Sequence, residues 1–207
     1  EGRAGKSKPE LADAPEVLLS KRSDPRAAVA HMVYGSKPAD GGNLILMDDE
    51  RQTLLAKDPA AERWLRPYIG AEEFLHGGRR WCLWLQDCSP ERLAAMPHVL
   101  ARVKAVRAFR LASKKAATVA AADRPAVFAE IRHGDCPYLV VPEVSSERRN
   151  YLPVGFEPPQ VISSNLIYTV PNAGLFAFGL VSSAMHIAVW RTVCVRLERD
   201  YRESAQI

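Results

Sequence analysis

Four short apolar runs in the second half of the chain restrict its fold more than any other feature of the sequence. They are rich in β-branched and aromatic residues, and Pro, Gly, Ser and Asn separate them: YLVVPEV (138–144), NYLPVGF (150–156), QVISS (160–164) and LIYTVP (166–171). Runs of this length between turn-forming residues predict short β-strands. Helical patterns lie before and after this region, so we predict an α+β domain with a mixed or antiparallel sheet.

The first half of the chain alternates between strand and helix patterns. Apolar runs bounded by turn-forming residues predict strands at 43–47 and 79–87. We also predict two short helices at 49–58 and 59–68, the second with Pro59 suited to a first helical position.

Serine residues mark the starts of two further helices. Ser89, followed by Pro90, predicts a capped helix start. Near the end of the sequence, Ser182 or Ser183 is positioned to cap a C-terminal helix that runs to about Leu197.

The longest helical pattern, at 97–118, predicts a basic central helix. Its apolar stripe consists of Val99, Val103, Val106 and Phe109 at helical spacing. The same segment contains no Asp or Glu but includes Arg102, Lys104, Arg107, Arg110, Lys114 and Lys115. A solvated helix face usually mixes charges. The pattern therefore predicts either a nearby anion or a solvated helix in which the aliphatic parts of the Lys and Arg side chains cover apolar surface.

Composition and charge exclude several classes of protein. No apolar run approaches the roughly 18–20 residues that span a bilayer, and the N-terminus lacks a signal-peptide core. We therefore expect a soluble cytoplasmic chain without a membrane contact. The formal net charge of +4 permits an anionic partner. The 4 cysteines are scattered without a CxxC pair, which argues against a zinc ribbon or a disulfide scaffold.

No catalytic or metal-binding motif is visible in the sequence. AGKSK (4–8) lacks the earlier glycine of a phosphate-binding loop, no G-x-S-x-G marks a nucleophile, and no histidines pair at helical spacing. A hydrolase with Cys88 or Ser145 as nucleophile remains an alternative, because it needs only a nearby base such as His133 or His186. The pattern as a whole favours recognition over catalysis.

Polar segments supply the side chains that sequence-specific DNA recognition requires. Phosphate contacts need Lys, Arg and small hydroxyls, which occur in GSKPADGG (35–42), SKK (113–115) and SSERR (145–149). Base edges are read by amide, carboxylate or guanidinium groups at the ends of structured elements. Such side chains follow or end predicted elements at Glu143, Asn165, Glu198, Asp200 and Arg202. Each carboxylate among them either faces a base amino group or lies in solvent.

Six motifs occur in an order that resembles one known family. They are YGSKPADGGNL, RPYIGAEEFLHGGRRWCLWLQD, RVKAVRAFRLASKKAAT, SSERRNYLPVGF, FGLVSSAMHIAVW and RLERDYR. Across about residues 10–207, this order resembles the target recognition domain of the MmeI-like restriction-modification enzymes. The resemblance implies an N-terminal arm or linker at 1–30, which follows a methyltransferase domain, and a DNA target recognition domain at 31–207.

The resemblance also implies a larger protein around this domain. MmeI-like enzymes are single polypeptides that carry a nuclease domain and an adenine-N6 methyltransferase. Their cofactors are Mg²⁺ and S-adenosylmethionine, and the recognition domain is expected to bind no cofactor of its own. The implied partners are double-stranded DNA and the methyltransferase and nuclease domains of the parent polypeptide.

Matched positions imply which residues read bases. The pairs that correspond to base-reading positions of the family are Glu143 with Asn165, Leu166 with Arg202, and Glu198 with Asp200. The two acids of the last pair favour a base amino group, on cytosine or adenine. The family usually has Gly and Tyr where this chain has Val195 and Glu203.

The remaining predicted contacts are to the DNA backbone. We expect phosphate contacts from Lys37, Arg107, Arg110, Lys114, Lys115, Ser145, Arg148 and Arg149. SSERR is alternatively an internal turn in which Glu147 pairs with an arginine. The predicted function is sequence-specific recognition of duplex DNA, as the specificity domain of a bifunctional restriction endonuclease and adenine-N6 methyltransferase. The alternative is a protein-interaction module with a basic docking helix.

Overall fold

A computed structural model describes residues 31–146, 148–193, 195–197 and 200–202 of the chain. The strands are β1 (Val33–Tyr34), β2 (Ile45–Leu46), β3 (Leu65–Ile69), β4 (Arg80–Leu83), β5 (Tyr138–Pro142), β6 (Val144–Ser146), β7 (Gly155–Glu157), β8 (Ile162–Ser163), β9 (Ile167–Pro171), β10 (Val195–Leu197) and β11 (Asp200–Arg202). The α-helices are α1 (Asp48–Lys57), α2 (Ala71–His76), α3 (Pro90–Ala94), α4 (Pro97–Leu111), α5 (Ala116–Ala120), α6 (Leu175–Val181) and α7 (Ala184–Val193). Short 3₁₀ helices occupy Pro59–Trp64 and Ala121–Asp123.

The strands form three small sheets, which confirms the predicted α+β class. One sheet has the order β2-β4-β3-β8 and is mixed, because β3 and β8 run parallel while the other pairs are antiparallel. The second, β1-β9-β5-β7, is antiparallel throughout. The third, β10-β11-β6, is also antiparallel. In the described part of the chain, no helix is long and apolar enough to cross a membrane.

The mixed sheet shares one apolar core with α1 and α4. Leu54 of α1 and Val99, Val103 and Val106 of α4 are buried in the same cluster as strand residues such as Leu83. The three valines of the stripe predicted for the central helix therefore face this core, whereas the prediction is wrong for Phe109, which is exposed. Ser89 caps α3 through its Oγ, which accepts a hydrogen bond from the backbone N–H of Arg92 at 3.4 Å.

The antiparallel sheet β1-β9-β5-β7 is buried on both faces at its centre. Leu139 and Val141 of β5 point into one cluster, and Tyr138 and Val140 point into another. Side chains of a strand alternate between faces, so a strand covered on both sides is apolar at every position. This explains the uninterrupted run YLVVP in the sequence of β5.

Three predicted helices differ from the structure at their ends. The helix predicted at 59–68 is wrong beyond Trp64, because β3 begins at the next residue. Pro67 explains this end, since proline inside a helix removes a hydrogen bond and clashes with the preceding turn. The helix predicted at 97–118 ends at Leu111. There the Ser113 Oγ accepts a hydrogen bond from the backbone N–H of Lys115 at 3.2 Å and so competes with helix continuation.

The predicted C-terminal helix ends earlier than expected. Ser183 accepts a hydrogen bond from the backbone N–H of His186 at 3.0 Å, as its predicted capping role requires. The helix stops at Val193 rather than about Leu197, and Val195–Leu197 forms β10. β10 pairs with β11, which in turn pairs with β6, so tertiary strand pairing outweighs the local helical pattern.

Gly35 allows two sheets to approach each other closely. A Cβ atom at this position would lie 2.3 Å from the carbonyl oxygen of Ser164 and 2.6 Å from that of Ser163. Backbone atoms cannot yield as the end of a flexible side chain can. The chain after β1 therefore passes β8 at a distance that only glycine permits.

We expect Gly35→Ala to lower the free energy of unfolding by about 1–3 kcal/mol, because the added methyl group overpacks this crossing. Gly179→Ala is the matched control: nothing lies within 4 Å of its Cβ position, and alanine stabilises a helix relative to glycine. Urea-induced unfolding of both variants measures the difference. Equal stability of the two variants would contradict the close approach.

Candidate nucleic-acid interface

Two points where the chain crosses between sheets bring predicted base-reading positions together. Glu143 is the single residue between β5 and β6, and Asn165 and Leu166 lie in the turn between β8 and β9. The last pair of the β5–β9 ladder is Pro142 with Ile167. Glu143 and Leu166 each lie one residue beyond that pair, so they are neighbours at the same end of the sheet.

The backbone of β11 joins the same region. Arg202 pairs with Val144, the residue after Glu143, and Asp200 pairs with Ser146. Paired residues in an antiparallel ladder have Cα atoms about 4.5–5.5 Å apart. The register therefore places these two predicted readers beside the strand that follows Glu143. Glu198, the remaining predicted reader, lies outside the described residues.

The three described reader side chains differ in their exposure. Leu166 is 63% exposed and Asn165 is half-buried, whereas Glu143 is only 7% exposed. A buried carboxylate requires hydrogen-bond donors. Tyr34 supplies one, since its hydroxyl donates to Glu143 Oε1 at 3.4 Å.

Backbone hydrogen bonds hold the turn that carries Asn165. The N–H of Ser36 donates to the carbonyl of Ser163 at 2.8 Å, and the N–H of Ser164 donates to the carbonyl of Ile69 at 2.8 Å. Within the turn, the N–H of Leu166 donates to the Ser164 Oγ at 3.3 Å. The turn is therefore fixed from both sides, which suits a side chain that must recognise a defined shape.

Cationic side chains lie next to this turn. Lys37 follows the Ser36–Ser164 bridge and pairs with Glu130, with Nζ 3.3 Å from Oε1. Arg132 also pairs with Glu130, and its backbone N–H donates to the Ser36 Oγ at 3.0 Å. No pattern in the sequence selects Arg132, because the bridge between Lys37 and Glu130 brings it beside Ser36 from a distant part of the chain.

The prediction that Arg110 contacts phosphate is wrong. Its side chain is 0% exposed, and its guanidinium donates five hydrogen bonds to backbone carbonyls, all 2.8–2.9 Å long. The acceptors are Pro38, Ala39, Ala121, Arg124 and Val127. Burial lowers the pKa of the Arg110 guanidinium, and the nearby Asp40 carboxylate opposes that shift. Arg110 thus fastens the end of α4 to two loops, one of which contains Lys37.

A signal for this burial exists in the sequence. Val99, Val103 and Val106 form the buried stripe of α4, and Arg110 follows Val106 by four residues, on the same face. Arg107, one position from the stripe, is exposed as predicted for a surface cation. Helical phase therefore separates these two arginines, although their residue type does not.

Charge on α4 is less concentrated than the sequence indicated. Arg102 pairs with Glu50, with Nη2 3.0 Å from Oε1, and also donates to the carbonyl of Asn43. Together with the burial of Arg110, this leaves Lys104 and Arg107 as the exposed cations of the helix. The positive charge of α4 is therefore partly neutralised or buried within the protein.

The side chains of the other predicted phosphate contacts differ in their exposure to solvent. Lys114 and Lys115 are exposed directly after α4, and Arg148 is exposed in the turn after β6, while Arg149 is half-buried. Ser145 is 2% exposed, which contradicts a phosphate contact by its hydroxyl. In that turn, the N–H of Arg149 donates to the carbonyl of Ser146 at 3.1 Å, so the segment is partly an internally bonded turn. Glu147 lies outside the described residues.

The hydrolase alternative finds no support in the geometry. Burial raises the pKa of the Cys88 thiol, which disfavours the nucleophilic thiolate. His133 contacts the carbonyl oxygen of Pro159 through Nε2 at 2.7 Å, and burial lowers the pKa of its ring. Among the described residues, no group of three or more metal-type ligands is present.

Comparison with known proteins identifies the family of the chain. The family model of the MmeI target recognition domain matches residues 13–207. The chain belongs to this family. It is 34% identical to DNA methyltransferase A of Bacillus subtilis (strain 168) over 197 residues, which are 95% of this chain and 22% of that protein.

A solved structure of the type IIL restriction-modification enzyme MmeI in complex with DNA is also similar. It shares 42% sequence identity with this target recognition domain and superposes with a TM-score of 0.87, over 95% of this chain and 26% of the MmeI chain. The chain thus spans about a quarter or less of the relatives that it matches.

We expect Arg110→Lys to lower the free energy of unfolding by about 2–4 kcal/mol. Lysine has three donors, so at least two of the five carbonyls lose a hydrogen bond, at about 1–2 kcal/mol each. Arg107→Lys, on the exposed side of the same helix, should change stability by less than about 0.5 kcal/mol. Thermal and urea unfolding test the pair, and a neutral Arg110→Lys would show that the carbonyls do not depend on arginine.

Proposed function

We propose that this chain binds duplex DNA and selects its sequence, as the specificity domain of a restriction-modification enzyme. The observation that carries the proposal is the convergence of Glu143, Asn165 and Leu166 at the end of the β5–β9 ladder, with Arg202 paired next to them. Membership of the MmeI target recognition domain family supports it, since MmeI was solved in complex with DNA.

The side chains divide into two roles under this proposal. Base reading is assigned to Glu143, Asn165, Leu166, Glu198, Asp200 and Arg202. A carboxylate accepts from the amino group of cytosine or adenine, an asparagine side chain pairs with adenine, and an arginine pairs with guanine. An apolar side chain such as Leu166 contacts the thymine methyl group.

Backbone contacts are assigned to the cations that remain available. Arg107, Lys114, Lys115 and Arg148 are exposed, and Lys37 is partly exposed beside the turn that carries Asn165. Such contacts position the protein on the duplex without reading sequence. They also make binding depend strongly on salt, because each neutralised phosphate releases counterions.

The relatives suggest a longer functional unit. We propose that residues 1–30 are an arm that follows a methyltransferase domain, and that 31–207 form the recognition domain beside a methyltransferase and a nuclease domain. S-adenosylmethionine and Mg²⁺ would serve those catalytic domains, and we assign no residue of this chain to either. This role implies a cytoplasmic location.

A protein-interaction role is the second candidate, and exposed apolar residues on α6 favour it. Leu175 is 80% exposed and Phe176 is 78% exposed, and exposed apolar patches mark sites of contact with other proteins. Titration of the chain with duplex DNA at two salt concentrations separates the two roles. Salt-dependent binding of the duplex supports the DNA-reading role, and its absence supports the protein-interaction role.

We expect Lys114→Ala with Lys115→Ala to weaken binding to every duplex and to reduce the slope of log K against log salt by about 2, since each lost phosphate contact removes about 0.9. Lys57→Ala is the matched control, because Lys57 is an exposed cation in the last turn of α1 that is not among the proposed phosphate contacts. Fluorescence anisotropy at several salt concentrations measures both variants.

Glu143→Gln should instead change preference at one base pair. Replacing an acceptor-only carboxylate by an amide alters the hydrogen-bond pattern presented to a base, which is worth about 1–3 kcal/mol of discrimination. Binding to duplexes that differ at single positions measures this change. If the lysine and glutamate variants alter binding in the same way, the proposed division of roles fails.

A further inference from the structure

Two tyrosines lie side by side behind Glu143. Tyr34 of β1 and Tyr168 of β9 are paired in the antiparallel ladder, and their ring centroids are 4.4 Å apart. The Tyr168 hydroxyl lies 2.7 Å from the Tyr34 hydroxyl, and the Tyr34 hydroxyl lies 3.4 Å from Glu143 Oε1. Three polar groups therefore form a continuous chain of hydrogen bonds.

The donor and acceptor roles in these hydrogen bonds follow from the acceptor at their end, the Glu143 carboxylate. The Tyr34 hydroxyl donates its single proton to Glu143 Oε1. The Tyr34 oxygen can then only accept from Tyr168, which donates. Hydrogen bonds aligned in this way polarise one another, and each is stronger than it would be alone.

Packing fixes the position of Tyr168, the first donor in this series of hydrogen bonds. Tyr168 is 1% exposed and pairs with Val141 of β5 on one side and with Tyr34 of β1 on the other. Its ring belongs to the cluster that contains Leu139 and Val170. A side chain enclosed in this way keeps one rotamer, so the position of its hydroxyl is determined by the sheet.

We propose that Tyr34 and Tyr168 are positioning residues that set the orientation of the Glu143 carboxylate for base reading. This inference rests on the proposed function of Glu143. The bond from Tyr34 holds one oxygen of the carboxylate and so limits the orientations that the Glu143 side chain can adopt. A preorganised acceptor discriminates better than a mobile one, because a wrong base cannot be accommodated by rotating it.

Selection of duplexes from a randomised pool by the 207-residue chain tests the proposal. The wild-type chain defines the preferred sequence, and Glu143→Gln identifies the base pair that depends on Glu143. We expect Tyr34→Phe to reduce selectivity at that same base pair by about tenfold, the value of one hydrogen bond to a charged group. Tyr168→Phe should give a smaller loss at the same base pair, because Tyr34 can still donate.

Tyr138→Phe is the matched control. Tyr138 is also buried in this sheet, and its hydroxyl donates to the carbonyl of Val161 at 2.7 Å, away from Glu143. Its loss should lower stability and leave the selected sequence unchanged. A merely structural role of Tyr34 would produce the same result as this control.

Each outcome decides between the two proposals. A selected sequence that changes with Glu143→Gln but stays unchanged with both Tyr34→Phe and Tyr168→Phe overturns the positioning role and leaves the proposed function intact. A uniform loss of affinity without a change at that base pair overturns it equally. Failure of the wild-type chain to enrich any sequence overturns both. If Tyr34→Phe does not fold, Tyr168→Phe supplies the deciding measurement.

Discussion

The arrangement of the interface depends on the close passage of Gly35 against Ser163 and Ser164. This passage joins the mixed sheet to the antiparallel sheet, since β8 belongs to one and β9 to the other. Tyr34 precedes the crossing and Lys37 follows it, while Asn165 lies in the turn on the other side. A bulkier residue at position 35 would separate these groups, whatever their own chemistry.

A buried charged side chain also stabilises this region of the protein. Arg110 donates hydrogen bonds to five backbone carbonyls, among them those of Pro38 and Ala39 in the loop between β1 and β2. A lone buried guanidinium is costly unless its donors are satisfied, and here every bond goes to a carbonyl that would itself need a donor. Among these basic residues, Arg110 therefore has a structural role, whereas Arg107, Lys114 and Lys115 remain at the surface.

Local signals in the sequence predicted the fold class and most strand positions, because runs such as YLVVP reflect burial on two faces. The family was predicted from the order of motifs and is confirmed. Helix ends were predicted less well, since Pro67 and Ser113 act within single turns and β11 depends on pairing with distant β6. Helical phase could have revealed the burial of Arg110. No local pattern reveals that Tyr34 reaches Glu143, because 109 residues separate them.

The different burial of the readers has a consequence for how such a domain diverges. Leu166 is exposed in a turn, so exchanging it disturbs few neighbours and costs little stability. Glu143 is enclosed and bonded to Tyr34, so exchanging it leaves the Tyr34 hydroxyl without this acceptor. Natural variants should therefore drift freely at the first position, whereas at the second they are constrained to change in concert with the aromatic pair behind it.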